Sequence, residues 1–140
     1  MTILTEEKEN EVFKVVDDSH KLFQEGKTNE SLSKMHEAWN LLPEPREATN
    51  VSNVIAGEIS EMYLEDLKDY EEAIKWAKIL IACYSHREID DGEGEYTLGR
   101  IYYETEDYDK AKEQFLIRLD KTDGIGLRDA PQKYLELLKN

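Results

Sequence analysis

A chain of 140 residues is long enough for one extended hydrophobic core, and its formal net charge of −14 is large for that size. Such an acid surplus, heaviest over residues 51–100, repels phosphate backbones and anionic lipid, so it argues against nucleic acid and membrane and for a basic or neutral protein partner. No stretch approaches the roughly 18 uninterrupted apolar residues of a membrane span. The single cysteine, Cys83, has no internal partner, and the opening MTILTEEKENE lacks a secretory pattern, which together point to a reducing cytoplasm.

The apolar spacing predicts helices at about 5–25, 28–42, 46–66, 69–84, 93–105, 108–121 and 129–139. Val12, Val15, Val16, Leu22 and Phe23 mark the buried side of the first, with Ser19 as a small residue among them. The second carries Thr28, Ser31, Met35, Ala38 and Trp39, and Pro43 and Pro45 stop it because proline cannot continue the hydrogen-bond ladder. Ile55, Ile59, Met62, Tyr63 and Leu67 form the face of the third, around Ser60. The fourth runs through Tyr70, Ala73, Ala77 and Ile81.

Asp90-Asp91-Gly92 is suited to cap the fifth helix, whose face is Leu98, Ile101, Tyr102 and Thr105 with Gly99 beside it. The sixth carries Tyr108, Ala111, Phe115 and Leu119. Gly124 and Gly126 break the chain, and Asp129-Ala130-Pro131 reads as an N-cap with proline in the first turn of a closing helix. Its Tyr134, Leu135, Leu137 and Leu138 are expected to cover the exposed end of the stack.

Three segments align: 26–39, 68–81 and 106–119. Ser31, Ala73 and Ala111 fall in one small-residue column, and Ser19, Ser60 and Gly99 form its counterpart on the preceding helices. A small residue facing a small residue lets two helix backbones approach closely. The chain therefore reads as three helical hairpins, at about 12–45, 53–86 and 92–122, with a capping helix at about 129–139, all in one domain over 1–140.

Catalytic chemistry is not expected. His20, His36 and His86 are far apart in sequence, form no HExxH pair and read as solvated histidines. Cys83 reads as a buried structural thiol. The acids of Asp90-Asp91-Gly92-Glu93-Gly94-Glu95 do not follow the alternation of a calcium loop, and Gly124-Ile125-Gly126 lacks the third glycine of a dinucleotide fingerprint. Neither an enzyme nor a cofactor nor a metal is implied.

Leu98-Gly99-Arg100-Ile101-Tyr102-Tyr103, followed by Asp107-Tyr108-Asp109-Lys110-Ala111, resembles the tetratricopeptide repeat. The second unit is similar in its latter half, although Tyr63 to Tyr70 is one residue longer than the family's usual turn. The first keeps Ala38 and the helix-ending Pro43 but has Ser31 where alanine is usual. The resemblance implies an all-α, short right-handed solenoid of about seven helices that binds a protein or peptide in its concave groove. The family's inner face falls on Phe13, His20 and Phe23, on Glu61, Leu64 and Glu65, and on Tyr96, Arg100, Tyr103 and Glu104. The other reading of Phe13 and Phe23 is a place in the core.

The carboxylate clamp of chaperone-binding family members would need lysine, asparagine and arginine where this sequence has Val16, His20, Glu58, Glu93 and Thr97. That substitution implies a basic or neutral guest. Residues 126–139 resemble the closing helix of small bacterial tetratricopeptide-like proteins, some of which are similar to immunity proteins that neutralise a basic toxin. Scaffolding of a larger assembly or homo-oligomer is the alternative, and the chain itself is expected to be a monomer or weak homodimer.

Overall fold

The computed structural model describes residues 1–139. Among them are seven α-helices: α1 (Glu6–Gln24), α2 (Thr28–Asn40), α3 (Ser52–Glu61), α4 (Tyr70–Tyr84), α5 (Glu93–Glu104), α6 (Tyr108–Lys121) and α7 (Gln132–Leu138). Helices adjacent in the chain pack antiparallel, α1 on α2, α3 on α4, α4 on α5 and α5 on α6, while α2 also meets α3 and α6 meets α7. Among the described residues no helix is long and apolar enough to cross a membrane.

The small-residue columns lie at the hairpin contacts. Between α1 and α2 the Ser19 hydroxyl donates to the Ser31 carbonyl and the Ser31 hydroxyl to the Ser19 carbonyl, each at 2.8 Å. Between α3 and α4 Ser60 donates to the Ala73 carbonyl at 3.1 Å. Between α5 and α6 both Gly99 and Ala111 are buried, and a Cβ on Gly99 would stand 2.6 Å from the Phe115 ring. All of these small residues are buried at the seams, where a small side chain lets the two helices approach closely.

Each hairpin turns through one left-handed residue: Gly26 (φ 79), Lys68 (φ 51) and Glu106 (φ 62). In the first and third turns the next residue closes back over five positions, Lys27 N–H to the Leu22 carbonyl and Asp107 N–H to the Tyr102 carbonyl. In the second turn Asp69 N–H reaches six positions back, to Tyr63. The extra residue is absorbed by a π-helical turn, Met62–Asp66, which continues α3 without a break. It accounts for the longer Tyr63–Tyr70 spacing.

Two predicted boundaries move. The helix expected from residue 46 is a short 3-10 turn, Arg46–Ala48, followed by extended Thr49, and α3 starts only at Ser52. Thr49 is extended because it pairs with the N-terminal segment: Thr2 and Thr49 form a parallel bridge, and the Asn50 side chain accepts the Leu4 N–H. The closing helix starts at Gln132 rather than 129, with Pro131 at its N-cap and Asp129 outside it. A residue before proline is driven out of the helical region, and the turn through residues 125–130 seats Leu127, 1% exposed, under the helix.

Three apolar clusters are stitched end to end. The first, around Val12, Met35, Ile55, Ile59 and Trp76, joins α1 to α4. The second centres on Leu64, Ala77 and Ile101, and the third on Phe115, Leu127 and Tyr134. Tyr63 packs against the first two and Tyr102 against the last two. Burying such stripes is the main source of stability for helices of this length.

Candidate functional site

A cleft of about 460 Å³ opens between α1, α3 and α5. His20 and Phe23, three apart, come from the last turns of α1. Val54, Gly57, Glu58, Glu61 and Glu65 follow one face of α3 and its π extension, and Glu93 and Thr97 are one turn apart on α5. Ser19, Ser31, Met62 and Leu80 form the floor, and Tyr84 of α4 closes one end. Phe23 and Val54, 44% and 42% exposed, leave apolar surface open to the cleft.

The rim is acidic. Glu58, Glu61, Glu65, Asp66 and Glu93 all border the cleft. Burial raises the Asp66 carboxyl above its ordinary range, and neighbouring Glu65 and Glu61 push the same way. Burial also raises Glu93, opposed by Arg118, which reaches it at 3.5 Å. His20 Nε2 meets Glu58 at 2.8 Å across the gap between α1 and α3. Arg100 of α5 grips both oxygens of Glu61 and one of Glu65 at 2.7 Å. Burial alone would lower that guanidinium, but the Glu61 hydrogen bond and charge more than reverse the effect.

The residues singled out from the family's inner face separate into two groups. His20, Phe23, Glu61 and Glu65 come together in the cleft, with Arg100 behind the last two. Leu64 is 4% exposed and belongs to the second apolar cluster, while Phe13 packs half-buried against the first. Tyr96 and Tyr103 stack edge-on against Tyr134 of α7, and Glu104 pairs with Lys133. The capping helix thus covers the stretch of α5 that would otherwise extend the groove.

His20, Glu58, Glu93 and Thr97, four of the five positions that break the carboxylate clamp, line the cleft, while Val16 is buried in the core. Of the apolar members, Val54, Gly57, Leu80 and Tyr84 have no place in the sequence-based groove, and Met62 is expected only on the packed face of its helix. A glycine in the middle of a helix, three residues after Val54 and four before Glu61, is the signal that marks this face. Of the histidines read as solvated, His36 is half-buried: its Nε2 lies 2.9 Å from the Tyr63 hydroxyl and its ring stacks edge-on against Trp76. Cys83 is buried, and burial raises its thiol. No group of three or more histidine, cysteine or carboxylate side chains is placed to hold a metal ion among the described residues.

No protein-family model matches the chain, and no curated protein sequence matches it either.

Proposed function

We propose that the chain is a three-unit tetratricopeptide-like solenoid that works as a protein-interaction module, without catalysis of its own, by holding a basic or neutral segment of a partner in the α1–α3–α5 cleft. The repeated hairpin construction supports the solenoid reading: the pairs Ser19/Ser31, Ser60/Ala73 and Gly99/Ala111, with a turn through a left-handed residue between the members of each. The observation that carries the binding reading is the combination in one cleft of exposed Phe23 and Val54 with five rim carboxylates. Apolar anchors within a charged rim are the usual anatomy of a protein-binding surface. The π turn beside it adds weight, because such turns concentrate at functional sites; Met62, Glu65 and Asp66 of that turn border the cleft.

A basic toxin neutralised by occlusion is one guest of this kind. Affinity capture with the wild-type chain and with the Glu58→Lys/Asp66→Lys double variant tests the reading. The wild type is expected to retain a basic partner that the variant releases, with helicity by circular dichroism unchanged. Identical retention by both would place binding elsewhere on the molecule.

A further inference from the structure

Three glycines lie inside helices, and two of them have a packing reason. A Cβ on Gly94 would come within 2.9 Å of the Ile81 backbone, and one on Gly99 would strike the Phe115 ring. Gly57 is different. The nearest atoms to a Cβ there are the two methyl carbons of Leu80, both at 3.9 Å, an ordinary contact. Glycine weakens a helix interior relative to alanine, and nothing in the packing of α3 against α4 asks for it. What it does is leave bare backbone on the wall of the cleft, opening onto Leu80 and flanked by Val54 and Met62.

We infer that the hollow at Gly57 is an anchor site for one large apolar side chain of a partner segment, whose flanking lysines or arginines meet the rim carboxylates. This rests on the cleft being the binding surface, and it adds the chemistry of the guest. The hollow takes a leucine- or phenylalanine-like group because its walls are Phe23, Val54, Leu80 and Met62. The flanks are cationic because Asp66, Glu58 and Glu93 stand round the opening. Among the described residues Glu58 meets only His20 and Glu93 only the longer 3.5 Å approach of Arg118, while Arg100 is engaged by Glu61 and Glu65. Like charges gathered round one opening are relieved when a cation arrives. A second copy of this chain, with its large acid surplus, is a poor occupant of an acidic rim.

Three capped synthetic peptides test this by NMR titration at low salt: Lys-Ala-Lys-Phe-Lys-Ala-Lys, the same peptide with alanine for phenylalanine, and the same peptide with glutamate for every lysine. The first is expected to shift the amides of residues 54–61 saturably, the second to bind about tenfold more weakly, and the third not to bind. Gly57→Leu should weaken the first peptide about tenfold, while Gly57→Ala raises the melting midpoint by about 2–4 °C. A midpoint gain for Gly57→Ala shows that packing does not require the glycine, and the binding loss is read on Gly57→Leu with its helicity unchanged.

If Gly57→Leu binds the phenylalanine peptide as well as the wild type does, the anchor assignment is overturned while the cleft reading stands. A lower midpoint for Gly57→Ala would make the glycine structural and overturn it too. If no peptide moves any cleft amide, the reading of the cleft falls with it. A wild-type dimer by light scattering that Gly57→Leu dissociates would assign the hollow to a second copy and overturn the inference.

Discussion

The hydroxyls of Ser19 and Ser31 lie 2.8 Å apart, each donating to the other residue's backbone carbonyl, so that two buried serines lace α1 to α2. Both are 1% exposed. Replacing either with alanine is expected to cost about 1 kcal/mol, since a buried hydrogen bond is lost and a polar neighbour left behind. The double alanine variant should cost less than the sum of the singles by about 0.5 kcal/mol or more. Urea unfolding of the four proteins gives the cycle. Strict additivity would mean that the two hydroxyls act independently.

Lys68 and Glu106 occupy left-handed backbone, where a side chain crowds its own carbonyl, while the first turn has Gly26 at the same place. Lys68→Gly and Glu106→Gly should each stabilise the fold by about 0.5–1 kcal/mol. Gly26→Ala should destabilise it by a similar amount. Thermal unfolding checks the three signs, and a glycine that lowers the midpoint at 68 or 106 would show that those side chains contribute more than their backbone costs.

Burial against Tyr63 and Trp76 lowers His36 below the ordinary imidazole value, with Glu72 opposing and Lys75 assisting. The folded state therefore binds this proton less readily than the unfolded chain. His36 contributes stability that is complete above about pH 6.5 and is lost as the pH falls from there through the folded value. Melting midpoints of the wild type should fall between about pH 7.5 and 5, and His36→Gln should flatten that slope. Equal slopes would assign the acid sensitivity to other groups.

Arg100 joins α5 to α3 through Glu61 and Glu65, and it also offsets two of the rim charges. Both glutamates are more than a third exposed, so solvent screens the pairs and Arg100→Met should cost only about 1 kcal/mol of stability. The freed carboxylates should meanwhile tighten binding of the lysine–phenylalanine peptide at low salt, and added salt should erase the gain. Weaker binding by Arg100→Met would make the arginine a contact for the guest.

The hairpins were legible because their contacts repeat residue types at a fixed helical spacing: Ser19, Ser60 and Gly99 against Ser31, Ala73 and Ala111. The cleft was legible only in part. His20, Phe23, Glu61 and Glu65 share the cleft, whereas Leu64, which the family's register also puts on the inner face, is buried in the second apolar cluster. Leu64 is apolar and packs with Ala73, Ala77 and Ile101, while its charged neighbours Glu65 and Asp66 stand at the rim. Tyr96 and Tyr103 lie apart from the cleft, against the closing helix. Periodicity tells which face of α5 is apolar, but not that Tyr134 of the closing helix, far along the chain, will lie across it. The N-terminal pairing of Thr2 with Thr49 left no periodic trace at all.

Hydrogen exchange on the chain with and without its captured partner tests most directly whether the α1–α3–α5 cleft is the binding surface. Slowed exchange should concentrate in residues 54–66 and 93–97, with the solvent-facing sides of α2, α4 and α6 unchanged. Slowing confined to α2, α4 or α6, with 54–66 exchanging as in the free chain, would contradict it.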